Sequence, residues 1–421
     1  MSGPRAQTPD HVVVVGGGVI GLCVAYHLRA AGVPVTVLER DRAGSGASRG
    51  NAGEVCPDLG WPLPSPGIVT GSLRTLHRRD SALYVRPQAC AALARFLVGF
   101  AWSSRRSAFA AGVHALGSLS RGAVSLYREL AAAGIELHIN DRPYLVAHAT
   151  RAAARAGRDQ LLRWSPAIAA STSDVLTQDE LNETEPCLSG GVHGYRVDGQ
   201  ITIDPSALVD GLVARLREDG VEIREGARVT ALGPHGAGVQ VQSTQGRVDA
   251  DVAVLAAGVW TTSLARTIGA RVPIFPGKGY SFRVAIEQAP RHLIYLEAAH
   301  VSVAPRADGG TRIAGTMELD CAHDRFDPRR VQAIVAAARP YLRGAAWEQR
   351  TAEWMGPRPM TPNGLPLIGA LDRARRIFVA AGHNMLGVTL APTTGRAVAE
   401  LIVEGDAQID LRPFAPKAPA P

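Results

Sequence analysis

The sequence predicts an α/β chain in which a parallel, nucleotide-binding sheet is interleaved with an α+β unit built on an antiparallel sheet. Three observations carry this. Four consecutive valines, Val12–Val15, suit a strand buried on both faces, and they run directly into glycines at 16, 18 and 21. A second apolar strand, Val35–Leu38, follows the first helical stretch and ends on the acid Glu39. Between 272 and 320 the runs YSFRVAI, LIYLEA, HVSVAPR and TRIAGTME are separated by turn residues, as in an antiparallel sheet lying over a ligand.

The first element is the most informative. G-x-G-x-x-G at a strand-to-helix turn is the Rossmann-like fingerprint. Gly16 makes the tight turn, Gly18 lets backbone approach a pyrophosphate, and Gly21 lets helix and strand pack closely. Val19 and Ile20 open the helix, whose N-terminus faces the phosphates. Gly32 and Pro34 stop it. Glu39 stands where a carboxylate accepts hydrogen bonds from the adenosine ribose, which disfavours a 2′-phosphate, although the neighbouring Arg40 weakens that argument. The fingerprint alone does not separate FAD from NAD. The rest of the chain does, because no six-strand dinucleotide fold follows.

After Asp41 comes GSGASRGNAGEVCP, a loop of small residues with Ser48, Asn51, Ala52 and Gly53, able to lay N–H groups along a phosphate or an isoalloxazine edge. Residues 89–138 read as two helices. A capped helix is expected from Asp204–Pro205, then strands at 221–224 and near 227–232, the latter carrying Val229. A buried strand at 252–256 runs into Ala257, Gly258 and Trp260. AGHNMLGVTLAPTTGR ends in a helix from about Thr389, whose N–H groups and dipole stabilise negative charge. The closing LRPFAPKAPAP reads as a disordered tail.

Composition excludes several classes. A chain of 421 residues with 46% apolar and 20% charged residues is neither disordered nor a coiled coil. The net charge of +7 rests almost wholly on scattered arginines, with lysine only at 278 and 417, so no nucleic-acid partner is expected. Five cysteines without C-x-x-C or metal-ligand spacing read as reduced thiols, with no metal site. The first ten residues lack an apolar segment and no window is long enough to span a membrane, so a cytoplasmic location is expected. Seven arginines at 74, 78, 79, 86, 95, 105 and 106, opposed by Asp80 alone, flank ACAALARFLVGFAW. This stretch reads either as solvated helices or as a peripheral contact with the inner face of an anionic membrane, where electrons pass to quinone.

The pieces VVVVGGGVIGLCVAYHL, LERD, GASRGNAGEV, VLAAGVWT, PGKGYSF, GPRPMTPNGLPLIG and AGHNMLGVTLAPTTG, in this order, resemble the FAD-dependent D-amino acid oxidase superfamily. The likeness is greatest to its D-amino acid dehydrogenase branch, with glycine oxidase and sarcosine oxidase as relatives. It implies an FAD-binding domain from 10–85, 195–272 and 356–412, and a substrate-binding domain from 86–194 and 273–355. FAD is expected to be non-covalent, since Cys321, the only candidate for the sarcosine oxidase type of linkage, lies where the D-amino acid branch has none. The implied cofactor contacts run through Gly16, Gly18, Val19, Ile20, Gly21, Glu39, Arg40, Ser48, Asn51, Ala52, Gly53, Val229, Ala257, Gly258 and Trp260, and then Gly356, His383, Asn384, Leu386, Gly387, Val388 and Thr389.

In relatives the arginine of GPRPM holds the substrate carboxylate, a role suited to a planar fork, and the resemblance gives it to Arg358. Tyr280 either meets that carboxylate, roofs the flavin, or is a core tyrosine. Lys278 reads as a charge near flavin N5 or a solvated loop residue, and His383 as a flavin or substrate contact or a loop residue. The implied reaction takes hydride from the α carbon of a small D-amino acid to flavin N5, giving an imino acid, then a 2-oxo acid and ammonia. Alternatives are glycine, sarcosine, a cyclic substrate such as D-proline or hydroxyproline, or a 2-hydroxy acid. The electron acceptor is a respiratory quinone or oxygen. Asn384 and Met385 depart from the family pattern after His383, and Glu54 stands where dehydrogenase-like chains carry glutamine.

Overall fold

The computed structural model describes residues 8–72, 76–165 and 171–417. Arg74 and the last four residues of the tail lie outside them. Two sheets dominate. The first has six strands in the order Leu367–Ala370, Ile377–Ala381, Val252–Leu255, Val12–Val15, Val35–Leu38, Glu222–Arg224. The valine run sits at its centre, paired in parallel with Val35–Leu38 on one side and Val252–Leu255 on the other, all twelve residues buried. Helices cover both faces of such a sheet, which is why its strands are uniformly apolar. Helix Val19–Ala30 packs against helix Gly387–Val403 so closely that a Cβ on Gly395 would lie 2.6 Å from the carbonyl carbon of Cys23. Helix Pro205–Glu218 starts as predicted, with the Asp204 side chain accepting from Ser206 N–H at 2.8 Å.

The second sheet has eight strands. Seven follow the order Thr351–Met360, Phe275–Val284, Thr311–Leu319, Val301–Pro305, Ile294–Leu296, Tyr144–His148, His193–Val197, and Leu83–Val85 joins beside Thr311–Leu319. It is mixed rather than antiparallel throughout. Ile294–Leu296 pairs in parallel with Tyr144–His148, and Leu83–Val85 with Thr311–Leu319, because these partners arrive from distant chain segments. Helix Pro328–Ala338 packs on its back face. The expected domain boundary at 356 falls inside Thr351–Met360, which stays in this sheet to its end.

Three further expectations are corrected. Residues 89–138 hold three helices, Ala91–Ser103, Arg106–Ser120 and Ala123–Ala132, since the backbone breaks at Ser104–Arg105 and at Gly122, whose left-handed conformation ends the second. Cys90 and Cys321 are not free thiols but a disulfide across 231 residues. The register that sets Val85 beside Leu319 delivers both to one place, which no sequence spacing announces. In the tail, Phe414 is buried in the main core, so order continues past 413.

Candidate active site

A continuous cavity of about 1450 Å³ runs between the sheets. Its nucleotide end is the fingerprint loop. A Cβ on Gly16 would lie 2.6 Å from the Ala256 carbonyl oxygen, and one on Gly21 1.9 Å from that of Gly16, so both positions exclude any side chain. Gly18 is open, with Ser48 Oγ at 3.7 Å from its would-be Cβ, and Val19 N–H donates to that hydroxyl at 3.1 Å. Glu39 accepts from Gly17 N–H at 2.7 Å and Asp41 N–H at 3.0 Å, which holds its carboxylate at the cavity edge. Arg40 pairs with Asp41 at 2.7 Å and lies 4.1 Å over the Trp260 ring. Val229, Ala257, Gly258 and Trp260 line the same end.

The loop after Ser48 is pinned from the opposite sheet. Arg306 donates to the carbonyls of Asn51 at 2.9 Å and of Ala52 and Ile203, both at 3.1 Å. The Gly50 carbonyl accepts from Ser281 Oγ at 2.8 Å and Arg312 Nε at 3.3 Å. Sequence reasoning missed these two arginines because the loop carbonyls they hold lie some 250 residues away. Asn51 and Ala52 line the cavity, but Gly53 and Gly356, expected there, do not. Gly53, at φ +85°, admits the Ile203 carbonyl within 2.0 Å of a would-be Cβ, and Gly356 makes room for the indole of Trp354. Trp354, which lines the cavity, was missed too; its signal is the pair Gly50 and Gly356, both emptied to receive one ring.

His383 through Thr389 close the middle of the cavity. Burial pushes the His383 ring down to about 3, so it is neutral; Nε2 meets Thr394 Oγ1 at 3.1 Å and Nδ1 has no protein partner. Asn384 sits at φ +53°, a conformation asparagine tolerates, and its amide bridges Thr361 N–H at 2.9 Å and the Gly382 carbonyl at 2.8 Å. Those bonds hold asparagine in this conformation. Thr389 Oγ1 donates to the Glu54 carbonyl at 2.9 Å, tying the helix start to the far wall.

Arg358 lines the cavity and lies over Gly279, where a Cβ would be 2.1 Å from its guanidinium carbon. One nitrogen donates to the Thr316 carbonyl at 2.8 Å; burial pulls the guanidinium down to about 10. Cross-strand pairing puts Ser281, Ala314, Ser302, Tyr295, Val146 and Tyr195 in one row on the same face. All but Ser281 line the cavity, together with Tyr144.

Two expected residues face away. Lys278 and Tyr280 pair with Pro357 and Met355, while Gly277 pairs with Arg358, so strand alternation sends them to the opposite side from the guanidinium. Lys278 is fully buried, neither a solvated charge nor a cavity-lining one: it bonds Asp320 at 2.9 Å and the Arg325 carbonyl at 2.9 Å, with Glu318 at 3.3 Å. Tyr280 donates to Glu318 at 2.6 Å, and that carboxylate, not a substrate, takes its hydroxyl, although part of the residue borders the cavity. Arg86 is drawn to the same cluster, 3.7 Å from Glu318.

The site fits a flavin dinucleotide: an anchored carboxylate for ribose, an open N–H loop for pyrophosphate, and a second helix start with an unpartnered buried nitrogen beside it. The pattern of the FAD dependent oxidoreductase family (DAO) matches residues 11–401. The chain belongs to this family. It is an FAD-dependent oxidoreductase, with FAD as its cofactor. It is 30% identical over 412 residues to a D-amino acid dehydrogenase of Cereibacter sphaeroides, covering 93% of this chain and 91% of that one. A D-amino acid dehydrogenase of Agrobacterium fabrum is 28% identical, with 96% and 98% covered. Among solved structures, glycine oxidase from Geobacillus kaustophilus superposes with TM-score 0.75 at 21% identity over 98% of this chain and 99% of its own, a likeness of fold.

Proposed function

We propose that this enzyme oxidatively deaminates an amino acid, with a D-amino acid as the preferred substrate. The observation that carries the reading is the Arg358 guanidinium, held over Gly279 in the wall of the cavity. A planar fork in a dry pocket grips a carboxylate through charge-assisted hydrogen bonds. Likeness to the D-amino acid dehydrogenases supports the substrate class and the enantiomer. When bound, FAD supplies the acceptor for the hydride of the substrate α carbon. The chain orients that carbon: Arg358 fixes one end of the substrate, and Trp354, Tyr295 and Tyr195 wall the space beyond.

The electron acceptor is proposed to be a quinone met at a membrane surface. No helix among the described residues is long and apolar enough to cross a membrane. Helix Ala91–Ser103 instead leaves Val98 72% and Trp102 67% exposed, next to exposed Arg95, Arg105 and Arg106, an arrangement suited to lying on anionic lipid. The test is anaerobic mixing with D- and L-amino acids, followed by steady-state comparison of oxygen with a soluble quinone. Bleaching of the flavin by D-amino acids supports the reading. A flavin left oxidised by every amino acid offered overturns it.

A further inference from the structure

Glu54 enters the same cavity as Arg358 and has no role in the scheme above. Its backbone is fixed by pairing with Thr202 and by the Thr389 hydroxyl on its carbonyl. The Ser302 hydroxyl faces its carboxylate and favours the ionised form. Arg358, in turn, is bonded to the Thr316 carbonyl on the neighbouring strand. Ser302 pairs with Ala314, two residues from Thr316. The two anchors therefore lie on neighbouring strands of one sheet, and the Arg358 charge acts on Glu54.

We propose that Glu54 receives the α-ammonium group of the substrate and takes a proton from it, leaving the neutral amine that oxidation requires. This rests on the amino acid reading above. The step balances: an N–H bond breaks, an O–H bond forms on the carboxylate, the nitrogen regains its lone pair, and the net charge of the pair is zero before and after.

The surroundings suit it. Burial pushes the Glu54 carboxyl up, against the opposing pull of Ser302 and Arg358, which makes it a better proton acceptor than an exposed glutamate. The other titratable groups around it are Cys56 on its own segment, Tyr144 and Tyr295. Burial, reinforced by the Glu54 charge, pushes all three up, so they stay neutral and leave Arg358 as the charge opposite. In the same dry space a zwitterion converts to an anion plus neutral groups without a buried unpaired charge.

The test uses the FAD-loaded protein and its Glu54→Gln variant. 2-Aminoisobutyrate lacks an α hydrogen, so its binding can be followed calorimetrically without turnover, in buffers of different ionisation enthalpy. At neutral pH the parent should bind with little net proton exchange, while the variant binds at least tenfold more weakly and releases about one proton to buffer. Flavin reduction by a D-amino acid should then rise about tenfold per pH unit in the variant, up to the amine pKa, and vary little in the parent. Ser302→Ala, which keeps the carboxylate but removes the hydroxyl that favours its ionised form, should move the acid limb of kcat/KM to higher pH. Equal proton counts and parallel pH profiles for parent and Glu54→Gln overturn the assignment while leaving the amino acid reading intact. Failure of the parent itself to bind 2-aminoisobutyrate and to be reduced by any amino acid overturns both.

Discussion

Gly279→Ala isolates the carboxylate clamp from the fold. The new Cβ would lie 2.1, 2.2 and 2.6 Å from the Cζ, Nη2 and Nη1 atoms of Arg358. Ordinary carbon contacts need about 3.5 Å or more, so the guanidinium must retreat by more than about 1 Å. The backbone itself raises no objection, because Gly279 is not in the left-handed region. The clash is with the end of a flexible side chain, so folding and FAD content should survive. The substrate loses its aligned fork, and a misplacement of about 1 Å costs on the order of 10²-fold, equivalent to about 2.7 kcal/mol. The expected result is a kcat/KM for a D-amino acid lowered roughly 100-fold, mostly through KM, with flavin absorbance per protein unchanged. Gly190→Ala, exposed and with nothing within 4 Å, is the control and should be silent. A Gly279→Ala enzyme with full flavin and the parent KM would refute the placement of Arg358 at the substrate.

Arg358→Lys should also raise KM, by about 10- to 100-fold, because an ammonium cannot reproduce the two-pronged contact; steady-state kinetics across a D-amino acid series checks it. Lys278→Met strands the buried carboxylates of Glu318 and Asp320 and should cost about 3–5 kcal/mol in denaturant unfolding, while the KM of the surviving enzyme stays near that of the parent. Histidine protonation should weaken the fold in acid. The buried rings of His383 and His27 are pushed down from 6.5 to about 3 and about 4, so the unfolded chain binds more protons than the folded one across that interval. Their contribution is complete above about pH 6.5 and fades as pH falls toward 3, and His383→Asn should flatten the decline seen in thermal melts between those limits. Trp102→Ala with Arg105→Glu should reduce co-sedimentation with anionic vesicles without changing turnover with a soluble acceptor.

The nucleotide half of the site was legible because its signals are local. Gly16, Gly18, Gly21 and Glu39 lie within one strand, helix and strand, and at Gly16 and Gly21 the backbone approaches as closely as their spacing implies. Asp204 as a cap is legible for the same reason. The substrate half is assembled by register between distant segments, and register is invisible in a single chain. Glu54, Ser302 and Tyr295 meet only because three strands align. Lys278 was misplaced by one strand face and Tyr280 was left open between ligand and core, since PGKGYSF does not say which alternate side chains look toward the ligand. The seven-arginine stretch was likewise split by tertiary structure: Arg78 pairs with Asp80, Arg86 joins the buried cluster, and Arg79, Arg95, Arg105 and Arg106 stay exposed.

The arginines that hold the Gly50–Ala52 carbonyls come from the sheet that walls the substrate, not from the sheet that carries the fingerprint. Grip on the cofactor and shape of the substrate chamber therefore share one frame along residues 281, 306 and 312. Sequence change on those strands cannot adjust one without disturbing the other. Tyr144–His148 and His193–Val197, at the far end of the same sheet, make no bond to that loop. That far end touches the loop only through the apolar packing of Tyr144, Val146, Tyr195 and Val197 with Ala52, so drift in substrate preference among related chains should accumulate there at positions that keep this packing.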